Sequence, residues 1–241
     1  MPVPDQNKQG FKRNYVEVQP SHKSLASKTG SWFSKHYLGL INLTLALYVF
    51  LALLAPVLMQ VGRVDGANLI YRLYRPFCHQ LAYRSFFLFG EQPVYPRELA
   101  DIENLRPYEE VTGNDGDDIY AAIDFKGNEE LGYKAALCQR DLAIYASLLL
   151  FGLVFAVSGK RIKPLPWYLW ILLGLLPIAL DGVSQLVSQW ELSFLPWLAV
   201  RESTPFLRVL TGSLFGWFTG WFGFPSIEEL VPGNKRHKHF R

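Results

Sequence analysis

Apolar residues gather into four long runs, Tyr37–Met59, Leu142–Ser158, Leu165–Val187 and Pro205–Phe224, with polar residues confined to the stretches between them. Each run is close to the roughly 20 residues a helix needs to cross a hydrocarbon core. The pattern predicts an all-α integral membrane protein with four transmembrane helices, at 37–59, 138–158, 165–187 and 205–224. The stretch 60–90 is apolar and aromatic but broken by Arg63, Arg72, Arg75 and Arg84. An arginine at mid-bilayer costs a few kcal/mol, so this stretch reads as an amphipathic interfacial helix rather than a crossing. Residues 91–137 are polar and rich in turn formers, which predicts a partly ordered extracytoplasmic loop insertion. A shorter outer interfacial segment, 188–204, joins the last two spans.

Composition sharpens this picture. Of 241 residues, 50% are hydrophobic and 15% aromatic, too apolar for an ordinary soluble domain. The net charge of +3 does not mark a nucleic-acid partner, because the basic residues sit in tails and short turns beside apolar spans. Lys8, Lys12, Arg13, Lys23, Lys28 and Lys35 precede the first span. Lys160, Arg161 and Lys163 fill the turn after the second, and Lys235, Arg236, Lys238 and Arg241 lie near the carboxyl end. The positive-inside rule makes all three regions cytoplasmic. The connection 60–137 carries 13 acidic against 8 basic residues and falls outside. The expected location is the cell membrane, with a mobile basic cytoplasmic tail at 1–36, a second basic tail at 225–241, and the first span as an uncleaved anchor.

Two local signals lose to this topology. Asn42-Leu43-Thr44 matches a glycosylation acceptor but lies within a span. The turn around Asp115, Asp117 and Asp118 lacks the glycine and closing glutamate spacing of an EF-hand, and reads as a solvated acidic turn.

Candidate chemistry collects at the outer face. Arg75-Pro76 predicts a helix start with Cys78 in its first turn, because proline fits that position. The second span opens near Cys138-Gln139-Arg140-Asp141, and Ser203-Thr204-Pro205 caps the fourth. Helix amino ends carry free N–H groups and partial positive charge. Together with Arg84, Arg140, Arg201 and Arg208 they predict an anion receptor. Asp141, Asp181, Gln185, Glu202 and Ser203 supply a polar seam, and Asp181, Gln185 and Ser188 share one helical stripe. Similar depth in neighbouring spans predicts an Asp181–Arg208 ion pair facing the bundle interior. Its role is either structural or functional.

Cys78 and Cys138, the two cysteines of the chain, map to the same face. The options are a disulfide pinning the loop to the second span, a thiol-redox or metal site helped by His79, or inert buried thiols. Adjacent Cys78 and His79 would point about 100° apart on a helix, which makes His79 a weak metal ligand. Gly212, Gly216 and Gly220 leave one face of the fourth span as bare backbone. That face serves either packing within the chain or a homo-oligomer. Trp167, Tyr168, Trp190, Trp197, Trp217 and Trp221 read mostly as interfacial anchors.

Taken in order, Cys78-His79-Gln80, Arg84-Ser85-Phe86, Cys138-Gln139-Arg140, Ile144-Tyr145, Asp181-Gly182 with Gln185, Arg201-Glu202-Ser203-Thr204, Leu207-Arg208 and Thr211-Gly212 resemble a family of small multi-pass membrane proteins of unknown function. The resemblance covers a little under half the chain. Two departures stand out: the stretch between Gly90 and Cys138 is longer than the family's link, and Pro205 stands where asparagine is expected. The resemblance implies one site formed by the motif residues and names no reaction and no cofactor.

Three functional readings follow. The first is binding of an anionic group, such as a lipid phosphate, by Arg84, Arg140, Arg201 and Arg208. The second is an extracytoplasmic thiol-redox or metal site at Cys78, His79 and Cys138. The third is a non-enzymatic membrane scaffold.

Overall fold

A computed structural model describes residues 25–189 and 200–231, with side chains from Trp32 onward. Most of the basic tail at 1–36, the interfacial segment with Trp190 and Trp197, and the tail beyond 231 lie outside the described residues. Among those described, three helices are long and apolar enough to cross a membrane: Trp32–Gln60, Gln139–Val157 and Trp167–Gln189. The first lies within α1 (Leu25–Gln60) and the second is α5 (Gln139–Val157). The third is one rod built from α6 (Trp167–Trp170), a wide π turn (Ile171–Leu175) and α7 (Leu176–Gln189). Four spans were expected. The remaining long helix, α8 (Pro205–Leu230), has 26 residues and sufficient length, but its inward glycines, Thr211 and Arg208 lower its apolarity. Outward side chains on these helices are apolar: Leu43, Leu47 and Phe50 on α1, Leu150 and Leu153 on α5, Leu180 and Val183 on α7.

Contacts between α5 and α8 organise the bundle, and the glycines explain them. A Cβ on Gly212 would lie 2.7 Å from the Arg140 carbonyl oxygen, and one on Gly216 would lie 2.2 Å from that of Ile144. One on Gly220 would press on the Phe151 ring at 3.1 Å. The matches advance together along both helices, so α5 and α8 run parallel with their amino ends at the same end of the bundle. The glycine face is therefore taken up within the chain. At the opposite end, Tyr37, Leu38, Phe151, Phe155 and Phe224 form a closed aromatic core.

The described chain is mostly helical, and the all-α expectation fails only between α1 and α5, where a small sheet forms. The predicted interfacial helix over 60–90 is only α2 (Val64–Tyr74), which buries Ala67, Ile70, Tyr71 and Tyr74 and leaves Leu69 and Leu73 outward. Pro76 follows its end rather than starting a new helix, so Cys78 lies in an irregular stretch after α2. Next come β1 (Ser85–Leu88), then α3 (Tyr108–Thr112), α4 (Ile119–Asp124), β2 (Gly127–Asn128) and β3 (Gly132–Cys138). The strands form an antiparallel sheet in the order β1-β3-β2, with Ser85 opposite Cys138 and Phe87 opposite Lys134.

The stretch 91–137 is thus ordered. Its core is aromatic: Tyr83, Phe87, Tyr95 and Tyr108 are buried together, with Phe125 against them. Ring pairs Phe87–Tyr95 and Tyr83–Tyr108 meet edge-on at 5.0 and 5.6 Å, the arrangement that the ring quadrupole favours. In the acidic turn, Asp118 caps α4 by accepting the Ala121 N–H, and Asp117 pairs with Arg97 at 2.8 Å.

Candidate functional site

Two helix amino ends meet the sheet. Cys138 is both the last residue of β3 and the cap of α5, its Sγ accepting the Asp141 N–H at 3.5 Å. Thr204 caps α8 by accepting the Leu207 N–H, and Pro205 occupies the first turn, as the sequence predicts. Asp181, Gln185 and Ser188 form the buried face of α7 toward these ends.

The four arginines converge here, but on partners other than those expected. Asp181 pairs with Arg140 and with Arg201, the latter at 2.9 Å, and accepts the Ser203 hydroxyl at 2.7 Å. Arg208 pairs with Glu202, so the predicted Asp181–Arg208 pair is replaced by a swap of acids. Arg208 is one turn inside α8 and reaches back toward the sheet, where the Tyr83 carbonyl accepts from it at 3.4 Å. Glu202 also receives two hydrogen bonds from Arg84, at 2.9 and 3.2 Å, and one from the Gln185 amide at 2.8 Å. Arg201 donates to the Ser184 hydroxyl at 2.6 Å.

Both carboxylates are nearly sealed from solvent, at 6% for Asp181 and 4% for Glu202. A buried carboxylate needs partners to offset its lost hydration, and each has two guanidinium groups. Four arginines thus share two acids. The Arg140 Nε is buried and has no hydrogen-bond partner.

A second cluster lies on the other side of the α5 start. Cys78, buried, and Cys138, half-buried, are free thiols, so the disulfide among the expectations is absent. They nevertheless touch: the Cys138 N–H donates to Cys78 Sγ at 3.3 Å. A side-chain hydrogen bond from Cys138 pulls the Cys78 thiol below its ordinary range, against burial, which pushes it up. The two sulfurs and a carboxylate oxygen of Asp141 lie within 4.8 Å of one another. They open on a cleft of about 280 Å³ that Phe77, His79 and Arg84 also line. His79 is exposed on that cleft and stands outside the three-atom cluster.

Sequence reasoning missed Lys134, and quoted Gln139 within a motif without giving it a partner. Lys134 is wholly buried on β3, donating to the carbonyls of Gln80 and Ile123 at 2.7 Å each and of Ala122 at 3.3 Å. Burial pulls its ammonium from 10.5 down to about 7. It thereby holds the Cys78-His79-Gln80 stretch, where Gln80 adopts a left-handed backbone (φ 56°) and its amide donates to the Tyr71 carbonyl. Gln139, also buried, donates to the Ser85 carbonyl at 3.0 Å and faces Arg208. A lysine alone in the apolar strand Gly132–Cys138 was the available signal.

The comparisons fit this geometry. A family model described as "Predicted membrane protein (DUF2085)" matches residues 130–222. The resemblance drawn from the motifs agrees with this match. An uncharacterized protein of Methanocaldococcus jannaschii, MJ1492, is 23% identical over 206 residues, covering 82% of this chain and 96% of that protein. No solved structure matches the chain. The DUF2085 match takes in Arg140, Asp181, Arg201, Glu202 and Arg208, whereas Cys78 and Arg84 lie before it.

Proposed function

We propose that this is a four-span membrane protein that binds an anionic, phosphate-like group at the outer end of its bundle, through Arg140 and Arg201. Helix α8 is the fourth crossing, which returns both basic tails to the cytoplasmic side and leaves the sheet outside. The observation that carries the reading is the imbalance of charge: four arginines around two buried carboxylates, with the Arg140 Nε buried and unmatched. Arg84 and Arg208 complete the Glu202 network and act structurally. Arg140 and Arg201 share Asp181 and keep 24% and 38% of their side-chain surface, whereas Arg84, at 31%, is held by two hydrogen bonds to Glu202. Guanidinium groups suit phosphate because they present paired donors in one plane.

The test uses detergent-solubilised protein with phosphatidic acid, phosphatidylcholine or inorganic phosphate, read by native mass spectrometry and intrinsic tryptophan fluorescence. Phosphatidic acid should be retained over phosphatidylcholine, and Arg140→Ala and Arg201→Ala should each weaken it about tenfold or more, as loss of a charge-assisted hydrogen bond implies. Retention of inorganic phosphate with equal affinity would assign the site to a free anion rather than a lipid headgroup. Equal binding by parent and both variants would remove the reading.

A further inference from the structure

The three groups at the α5 start, two thiols and a carboxylate, all become anions when ionised. Asp141 has no ion pair among the described residues, although Arg84 lines the same cleft, because Arg84 is committed to Glu202. Each sulfur already accepts a backbone N–H, Cys78 from Cys138 and Cys138 from Asp141. N–H donors of this kind support thiolates bound to a metal. Donor atoms around one tetrahedral zinc sit about 3.8 Å apart, given bond lengths near 2.3 Å to sulfur. The observed spread of 4.8 Å or less closes to that by small side-chain rotations. The cluster also faces a cleft rather than packed protein, which leaves a fourth position open.

We infer that Cys78 Sγ, Cys138 Sγ and the Asp141 carboxylate form a three-ligand site for a thiophilic divalent cation, zinc by its sulfur and oxygen donor set. Thiolates exclude calcium and magnesium, and the carboxylate favours zinc over the softer monovalent copper. A dithiol that exchanges with disulfides would need the two sulfurs alone. The third anion, held without a cation of its own, is what selects a metal. This site uses donors other than those of the anion site, although Arg84, bound to Glu202, lines its cleft.

The experiment titrates the reduced, detergent-purified full chain with cadmium, following the sulfur-to-cadmium ultraviolet charge-transfer band and elemental stoichiometry. One ion per chain should bind. Cys78→Ser and Cys138→Ser should lose the band, and Asp141→Asn should weaken binding roughly tenfold or more. His79→Ala should bind as the parent does, and phosphatidic acid retention by the Cys78→Ser protein reads the anion site separately. Serine is itself a strong helix cap, so Cys138→Ser keeps the start of α5, and thermal unfolding checks that it does. A parent that takes up no cadmium with both thiols counted free would overturn the inference. So would a band that survives Cys138→Ser, or a chain isolated as a Cys78–Cys138 cystine without metal.

Discussion

The two clusters at the α5 start are separated by one residue of sequence, Arg140 against Asp141, yet their charge balance is opposite. On one side, four guanidinium groups surround two carboxylates, and each acid is buried and fully engaged. On the other, an acid and two thiols face a cleft with no ion pair to Asp141 among the described residues. Surplus cations and surplus acidic groups at one helix end are what the two proposed occupants of opposite sign would match. The same comparison separates a framework that must stay intact for folding from a site whose donors the fold can spare.

The largest effect should come from breaking the framework at its most enclosed acid. Glu202→Ala strands Arg208 and Arg84, and should cost about 3–5 kcal/mol, the usual penalty for orphaning a buried charge. Thermal unfolding in detergent reads it directly. Asp141→Ala, at a half-buried position in the first turn of α5 with no ion pair among the described residues, should cost about 1 kcal/mol or less, the scale of a carboxylate at a helix amino end. If both variants unfolded alike, the division into framework and site would be wrong.

Next in size is the seam that holds the arginines in register. Gly216→Ala places a methyl against the Ile144 carbonyl, whereas Gly223→Ala meets nothing within 4 Å. The first should destabilise by about 1–3 kcal/mol as overpacking does. The second should be neutral or slightly stabilising, given alanine's better helix propensity. Unfolding midpoints of the pair would settle whether the approach of α5 and α8 is as close as described.

Comparable in size with the glycine seam is a pH dependence on the thiol side. The Lys134 pKa falls from 10.5 unfolded to about 7 folded, so between these values the native state holds fewer protons than the unfolded chain. Stability therefore rises with pH across that window, by at most about 1.4 kcal/mol per unit, and the burial penalty is complete below pH 7. Lys134→Met should remove this rise. The difference between parent and variant stability at pH 7 and pH 9 is the measurement.

Much of this arrangement is legible in the sequence, and the reasons for the rest are physical. The helix start near Cys138, the cap at Thr204 and the Asp181-Gln185-Ser188 stripe depend on local spacing, and the structure has them where the residues put them. Choosing which acid meets which arginine depends on rotation between helices, which no spacing encodes, so Asp181 and Glu202 exchange partners. The sheet escapes notice because β3 is buried over most of its length and reads as a short apolar run, without the alternation of a half-exposed strand. The aromatic core under the sheet draws on Tyr83, Phe87, Tyr95, Tyr108 and Phe125, whose irregular spacing looks like loop until the chain is folded.

Between β3 and α5 the chain has no linker at all: the strand ends at Cys138 and the helix begins at Gln139. A joint without slack transmits torque. Any force that tilts the sheet therefore acts directly on the first turn of the helix behind it.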